Sequence, residues 1–173
     1  MGEAEFWNLI ERAKKESGGD GDLQAQLLTE ALAKRSVEDI LAFDRIFDHF
    51  HCKSYQSRLW AAAFIINGGC SDDGFDYFRA WLIAQGQDVF EKTLENPEYL
   101  ARYIQDDQVG DGIECELIMS AANNAFVIKT GQDDETYWAL RDAMPTEMYP
   151  EITMDWTEEN VGFIFPKLTK KFG

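Results

Sequence analysis

Between its most apolar run and an aromatic-rich one, the sequence carries Gly68-Gly69-Cys70-Ser71-Asp72-Asp73-Gly74, with Arg79 following. A thiol, a hydroxyl, two carboxylates and the free amides of a helix start, gathered at the rim of a core, are what a polar small-ligand site requires. The same stretch also makes sense as a tight connection. Glycine ends one helix, Ser71 or Asp72 caps the next, and the carboxylates sit at its positive end. A thiol beside a helix start is acidified while neighbouring carboxylates oppose that shift, so Cys70 is not read as a nucleophile. No acid–base partner can be placed beside it from sequence. Cys70, Ser71, Asp72, Asp73 and Arg79 are therefore the candidate ligand-binding residues, with Arg79 pairing along its own helix to Asp76 or Asp72. No residue stands out as catalytic.

A second concentration of reactive side chains is His49-Phe50-His51-Cys52. At helical spacing His49 and Cys52 share a face while His51 points elsewhere, which favours one turn of a partly buried helix over a metal site. Calcium loops need oxygen ligands at positions one, three and five, glycine at six and glutamate at twelve. Starting at Asp107, Asp111 and Gly112 fit, but Val109 and Ile118 stand where ligands belong; starting at Asp72, Gly74 and Ile83 do. The glycine-rich nucleotide loops, His-Glu-x-x-His and Gly-x-Ser-x-Gly do not occur. No metal or cofactor is expected. Cys52, Cys70 and Cys115 are an odd, widely spaced set without a Cys-x-x-Cys pair, which points to a reducing cytoplasm.

The elements that would position these residues read as helices. Phe6, Leu9, Ile10 and Ala13 recur at spacings of three and four, as do Leu23, Leu27, Leu28, Ala31 and Leu32. Ser36 can cap a helix bearing Ile40, Phe43, Phe47 and Phe50 on one side. Leu59 to Ile66 leaves no polar face and reads as a central helix buried all round, closed by Asn67-Gly68-Gly69. Phe75, Phe78 and Leu82 line the helix after the loop, and shorter helices follow at Val89 to Leu94 and Tyr99 to Ile104. After a polar break, Ile113, Leu117, Ala121, Ala125 and Ile128 predict one long helix to about Lys129, and Tyr137, Leu140 and Met144 a last stripe introduced by Asp133, Asp134 and Glu135. The five tryptophans read as core. From Pro145 the pattern breaks into an extended, proline-interrupted segment, 145–173, laid over the helices, with Asp155 and Glu158 capping one short helix. The expected fold is all-α: a single compact domain over 1–173 with eight or so helices.

The charge balance sets the remaining bounds. With 32 acidic against 16 basic side chains the formal net charge is -16, which opposes binding to a phosphate backbone and argues against nucleic acid. The acid is densest at Asp20–Asp22, Asp72–Asp76, Asp106–Asp111 and Asp133–Glu135, whereas Lys167, Lys170 and Lys171 suit a tail docked on that acidic body. No apolar run approaches the roughly 20 residues of a membrane-crossing helix, and the acidic amino terminus does not resemble a secretory signal.

The run Gly68 to Phe75, then Phe78-Arg79-Ala80-Trp81-Leu82-Ile83, Gly86, Phe90 and Asn96-Pro97, with Phe6-Trp7-x-x-Ile10 at the start and the proline-interrupted close toward Phe172, resembles over nearly the whole chain a bacterial family known as domain of unknown function 4240. That resemblance implies a compact bacterial cytosolic protein and brings no reaction, substrate or catalytic residue with it. Two functional readings follow. One is a protein-binding module, immunity-like or regulatory, whose acidity recognises a basic partner. The other is a small-ligand-binding protein or enzyme that uses the loop from Gly69 to Arg79.

Overall fold

A computed structural model describes residues 1–110 and 112–173; Asp111, used in the calcium comparison above, lies outside the described residues. The described chain is all-helical, with eleven α-helices where about eight were expected. In order they are α1 (Glu3–Ser17), α2 (Gly21–Ala33), α3 (Val37–Lys53), α4 (Ser57–Asn67), α5 (Asp72–Ala84), α6 (Gln87–Glu95), α7 (Leu100–Tyr103), α8 (Ala121–Thr130), α9 (Asp134–Asp142), α10 (Val161–Ile164) and α11 (Pro166–Phe172). None of them is long and apolar enough to cross a membrane.

The polar residues at the helix starts account for several boundaries. Asp20, Ser36, Ser71 and Asp133 each accept a hydrogen bond from the backbone three residues on, satisfying an amide that has no helical partner. Gly18, Gly68 and Gly131 close α1, α4 and α8 in the left-handed conformation, at φ of 65°, 66° and 69°. The apolar stripes then meet. α2 packs on α1 and α8, α3 on α5 and α8, and α4 lies under the carboxy-terminal α11. Phe6, Trp7, Phe43, Phe50 and Phe90 interlock at the centre with ring centroids 4.6–5.6 Å apart.

Three expectations are corrected. The long helix from Ile113 begins only at Ala121, after a 3₁₀ turn over Glu116–Ser120. Asn67 clamps the backbone of Ile113 through both its carboxamide atoms, at 2.9 and 3.3 Å, and the Cys115 amide donates to Tyr77 O at 3.1 Å, so these peptide groups are engaged outside any helix. In α9 Leu140 is exposed and Arg141 is buried beside Tyr137, because Arg141 pairs with Asp44 and Asp48 of α3. Trp138 faces solvent rather than the core.

The carboxy-terminal segment is extended only from Pro145 to Thr157; after a turn it forms α10 and α11. Asn160, not Asp155 or Glu158, precedes α10, and Asp155 instead bonds Ser57 at the start of α4. Lys171 pairs with Asp106 and Lys167 with Glu98, so the basic end of the tail sits on acid supplied by the body.

Candidate functional site

The loop before α5 separates the five candidate residues. Ser71 caps α5 by accepting from the Gly74 amide at 3.2 Å, while Asp72 and Asp73 in the first turn are exposed. Cys70 is half-buried; its carbonyl accepts from the Trp60 indole at 3.1 Å. Burial pushes the Cys70 thiol up to about 11, with Arg79 pulling the other way and Asp72 adding to the rise, so the thiolate is scarce at neutral pH.

Arg79 turns inward. It follows Phe75 by one helical turn, inside the apolar arc of α5, and is fully buried. Its guanidinium forms an ion pair with Asp76, donates to His51 O at 2.5 Å and approaches His51 Nδ1 at 3.2 Å. Phe75, Tyr55 and Tyr149 surround it at 4.9, 5.0 and 5.1 Å from ring centroid to guanidinium carbon. Its Nε is buried without a hydrogen-bond partner among the described residues.

His51 is the hinge of this arrangement. Its Nε2 donates to Asp76 O at 3.0 Å, which leaves Nδ1 to accept from the Tyr149 hydroxyl at 2.9 Å and from Arg79. Burial, and then the Arg79 charge against the ring, push its pKa down to about 4, so the imidazole is neutral at pH 7. Burial likewise raises the Tyr149 hydroxyl. A neutral acceptor facing a buried cation is a stable pairing: both ring nitrogens of His51 are engaged, and the Arg79 Nε is the donor left over among the described residues.

Tyr149 arrives from the extended segment, which crosses the α3–α4 junction as a strap. Glu147 bonds His49 at 2.8 Å, the Cys52 thiol lies 3.9 Å from Glu147 O, and the Trp156 indole donates to Ser57 O at 2.9 Å. The sequence reading missed His51, Tyr55 and Tyr149. One signal was available: Phe43, Phe47 and His51 fall at successive intervals of four, so His51 continues the buried stripe. His49 and Cys52 instead face the strap. Among the described residues no three His, Cys, Asp or Glu side chains gather as metal ligands would.

Sharing no residue with the Arg79 centre, a groove of about 880 Å³ is bounded by α2 and α8. Its exposed apolar side chains are Leu23, Leu117 and Ile128, at 38%, 52% and 64%, beside a half-buried Val127. Its rim is acidic: Asp20, Asp22, Glu30 and Asp134 line it, and no Lys or Arg does among the described residues. Asp20 and the first-turn Asp22 are placed there by the capping of α2, and the 3₁₀ turn before α8 swings Leu117 outward.

A family model described as a protein of unknown function, DUF4240, matches residues 1–128. The chain belongs to the DUF4240 family. No curated protein and no solved structure matches it. The DUF4240 stretch holds α1 to α7 and most of α8, and with them His51, Tyr55, Asp76, Arg79 and every groove residue named above except Asp134. The strap, α9, α10 and α11 lie beyond the matched stretch, so Tyr149 is added to the Arg79 centre from outside it.

Proposed function

We propose that this DUF4240 protein is a protein-interaction module, regulatory or immunity-like, that takes a basic amphipathic helix of a partner in the groove between α2 and α8. The observation carrying this reading is the combination of three outward apolar side chains with an acid-only rim in a chain of net charge -16. Exposed apolar residues rimmed by charge are the composition of a docking surface, and a helix laid in such a groove presents apolar anchors at spacings of three and four with Lys or Arg at its flanks. The acid speeds encounter and sets orientation, while Leu117 and Ile128 supply the area removed from water. The loop reading has less behind it. Ser71 is engaged as a cap, Asp72 and Asp73 are exposed, and Arg79 is closed over by Asp76, His51 and Tyr149.

The test uses a synthetic Lys/Leu amphipathic helical peptide of about 18 residues as probe and hydrogen exchange as readout. Slowed exchange in α2 and α8, affinity that falls steeply with salt, and at least tenfold weaker binding by Leu117→Asp/Ile128→Asp with Glu91→Lys unaffected are expected. Protection elsewhere, or equal loss from Glu91→Lys, refutes the assignment.

A further inference from the structure

A separate cleft of about 360 Å³ lies where the end of α1, the start of α2, the end of α5 and α7 meet, and it shares no residue with the groove or the Arg79 centre. Lys14 projects into it, half-buried. Its ammonium donates to Gln85 O at 2.9 Å and to the Tyr103 hydroxyl at 2.6 Å, and the Tyr103 hydroxyl in turn donates to Gln85 Oε1 at 2.9 Å. Both acceptors are neutral, and Glu11 acts on the ammonium only as a nearby charge. An ammonium has three N–H donors, so one is left. Burial lowers the Lys14 pKa, as expected of a cation taken from water with no carboxylate in contact among the described residues. That situation is unusual in a chain with twice as many acids as bases.

The rest of the cleft is built to hold a flat molecule. Trp81 and Ile113 form apolar walls. Gln24 is 3% exposed and donates twice from Nε2, to Ala84 O at 2.8 Å and Ile10 O at 3.4 Å, and its carboxamide oxygen, which accepts no hydrogen bond among the described residues, is left to accept from an occupant. Lys14 is the one Lys or Arg lining the cleft among the described residues and Glu114 lines it as well, so a doubly charged phosphate is disfavoured.

We propose that this cleft binds a small planar monocarboxylic acid: its carboxylate takes the third N–H of Lys14, its ring lies against Trp81, and a hydroxyl or amino donor on the ring reaches Gln24. Every cleft residue named here falls inside the DUF4240 stretch. The site is independent of the proposed docking groove.

The experiment titrates the full chain with 4-hydroxybenzoate, followed by tryptophan fluorescence and calorimetry, with 4-hydroxybenzamide as the uncharged control. Saturable binding of the acid, weakened at least tenfold in Lys14→Met while the amide is bound equally by both proteins, is the expected result. In parallel, acetylation of the unaltered protein is mapped by mass spectrometry, and the acid slows modification of Lys14 but not of the exposed Lys34. The mapping keeps the proposal testable if Lys14→Met fails to fold. Absence of saturable binding, equal affinity for the acid in Lys14→Met, or equal protection of Lys34 overturns the proposal.

Discussion

Acidification should destabilise this protein through His51. The ring titrates near 6.5 when free and near 4 in the fold, because it is buried, abuts the Arg79 guanidinium and uses Nδ1 to accept from Tyr149. Between those values the unfolded chain binds a proton that the folded chain refuses, so stability is complete above about pH 6.5 and declines as pH falls toward 4. Two to three units at 1.36 kcal/mol each amount to about 3 kcal/mol, a large share of the roughly 5–15 kcal/mol that holds a typical domain together. Exposed carboxylates held low by helix-start or hydroxyl contacts, Asp133 and Asp155, weaken the fold in the same direction, so the His51 contribution must be isolated.

His51→Asn provides the isolation, since its carboxamide oxygen replaces the Nδ1 acceptor and has no proton to gain. Urea unfolding of both proteins at steps from about pH 7 to about pH 4.5 gives the assay. The variant is less stable at neutral pH, having lost the bond to Asp76 O, and the gap between the two proteins closes by 2 to 3 kcal/mol, on the order set by that shift, as the pH falls. A gap constant to within about 0.5 kcal/mol across the range, or an NMR titration of His51 with a midpoint near 6, would refute the reasoning.

Three further outcomes follow from named contacts. Arg141→Met strands Asp44 without its cation on α3 and should lower stability by about 3 kcal/mol in urea unfolding, whereas a loss below 1 kcal/mol means the Arg141 pairs with Asp44 and Asp48 are dispensable. Ser71→Ala removes the cap of α5 and should cost about 1 kcal/mol, while Asp72→Ala costs only a few tenths through the helix dipole; the reverse order would assign the cap to the wrong residue. Cys70 should alkylate with iodoacetamide far more slowly at pH 8 than free cysteine, its rate still climbing toward pH 11, and a rate matching the free thiol shows that the side chain is not held in its half-buried place.

What could be read along the chain was whatever depends on neighbours a few residues apart. The capping of α3 by Ser36, the closure of α4 at Gly68 and the acidic start of α9 are decided by local geometry and stood in the pattern of residue types. So did the all-helical class and the family resemblance. That pattern left the cap of α5 open between Ser71 and Asp72, and the partner of Arg79 open between Asp76 and Asp72, until the structure chose Ser71 and Asp76.

Residues far apart in sequence carry no such period. His51 reaches Arg79 across 28 positions and Tyr149 across 98, Arg141 reaches Asp44 across 97, and Asn67 unwinds the chain before α8 by holding Ile113 across 46. Each of these is settled by packing, which decides whether a polar side chain at an apolar position finds a buried partner. The groove and the Lys14 cleft are of the same kind. Sequence determined the all-helical class, several helix starts and ends, and the excess of acid. Tertiary structure alone decided which side chains face one another across those helices, because that depends on where the apolar faces come to rest when they leave water together.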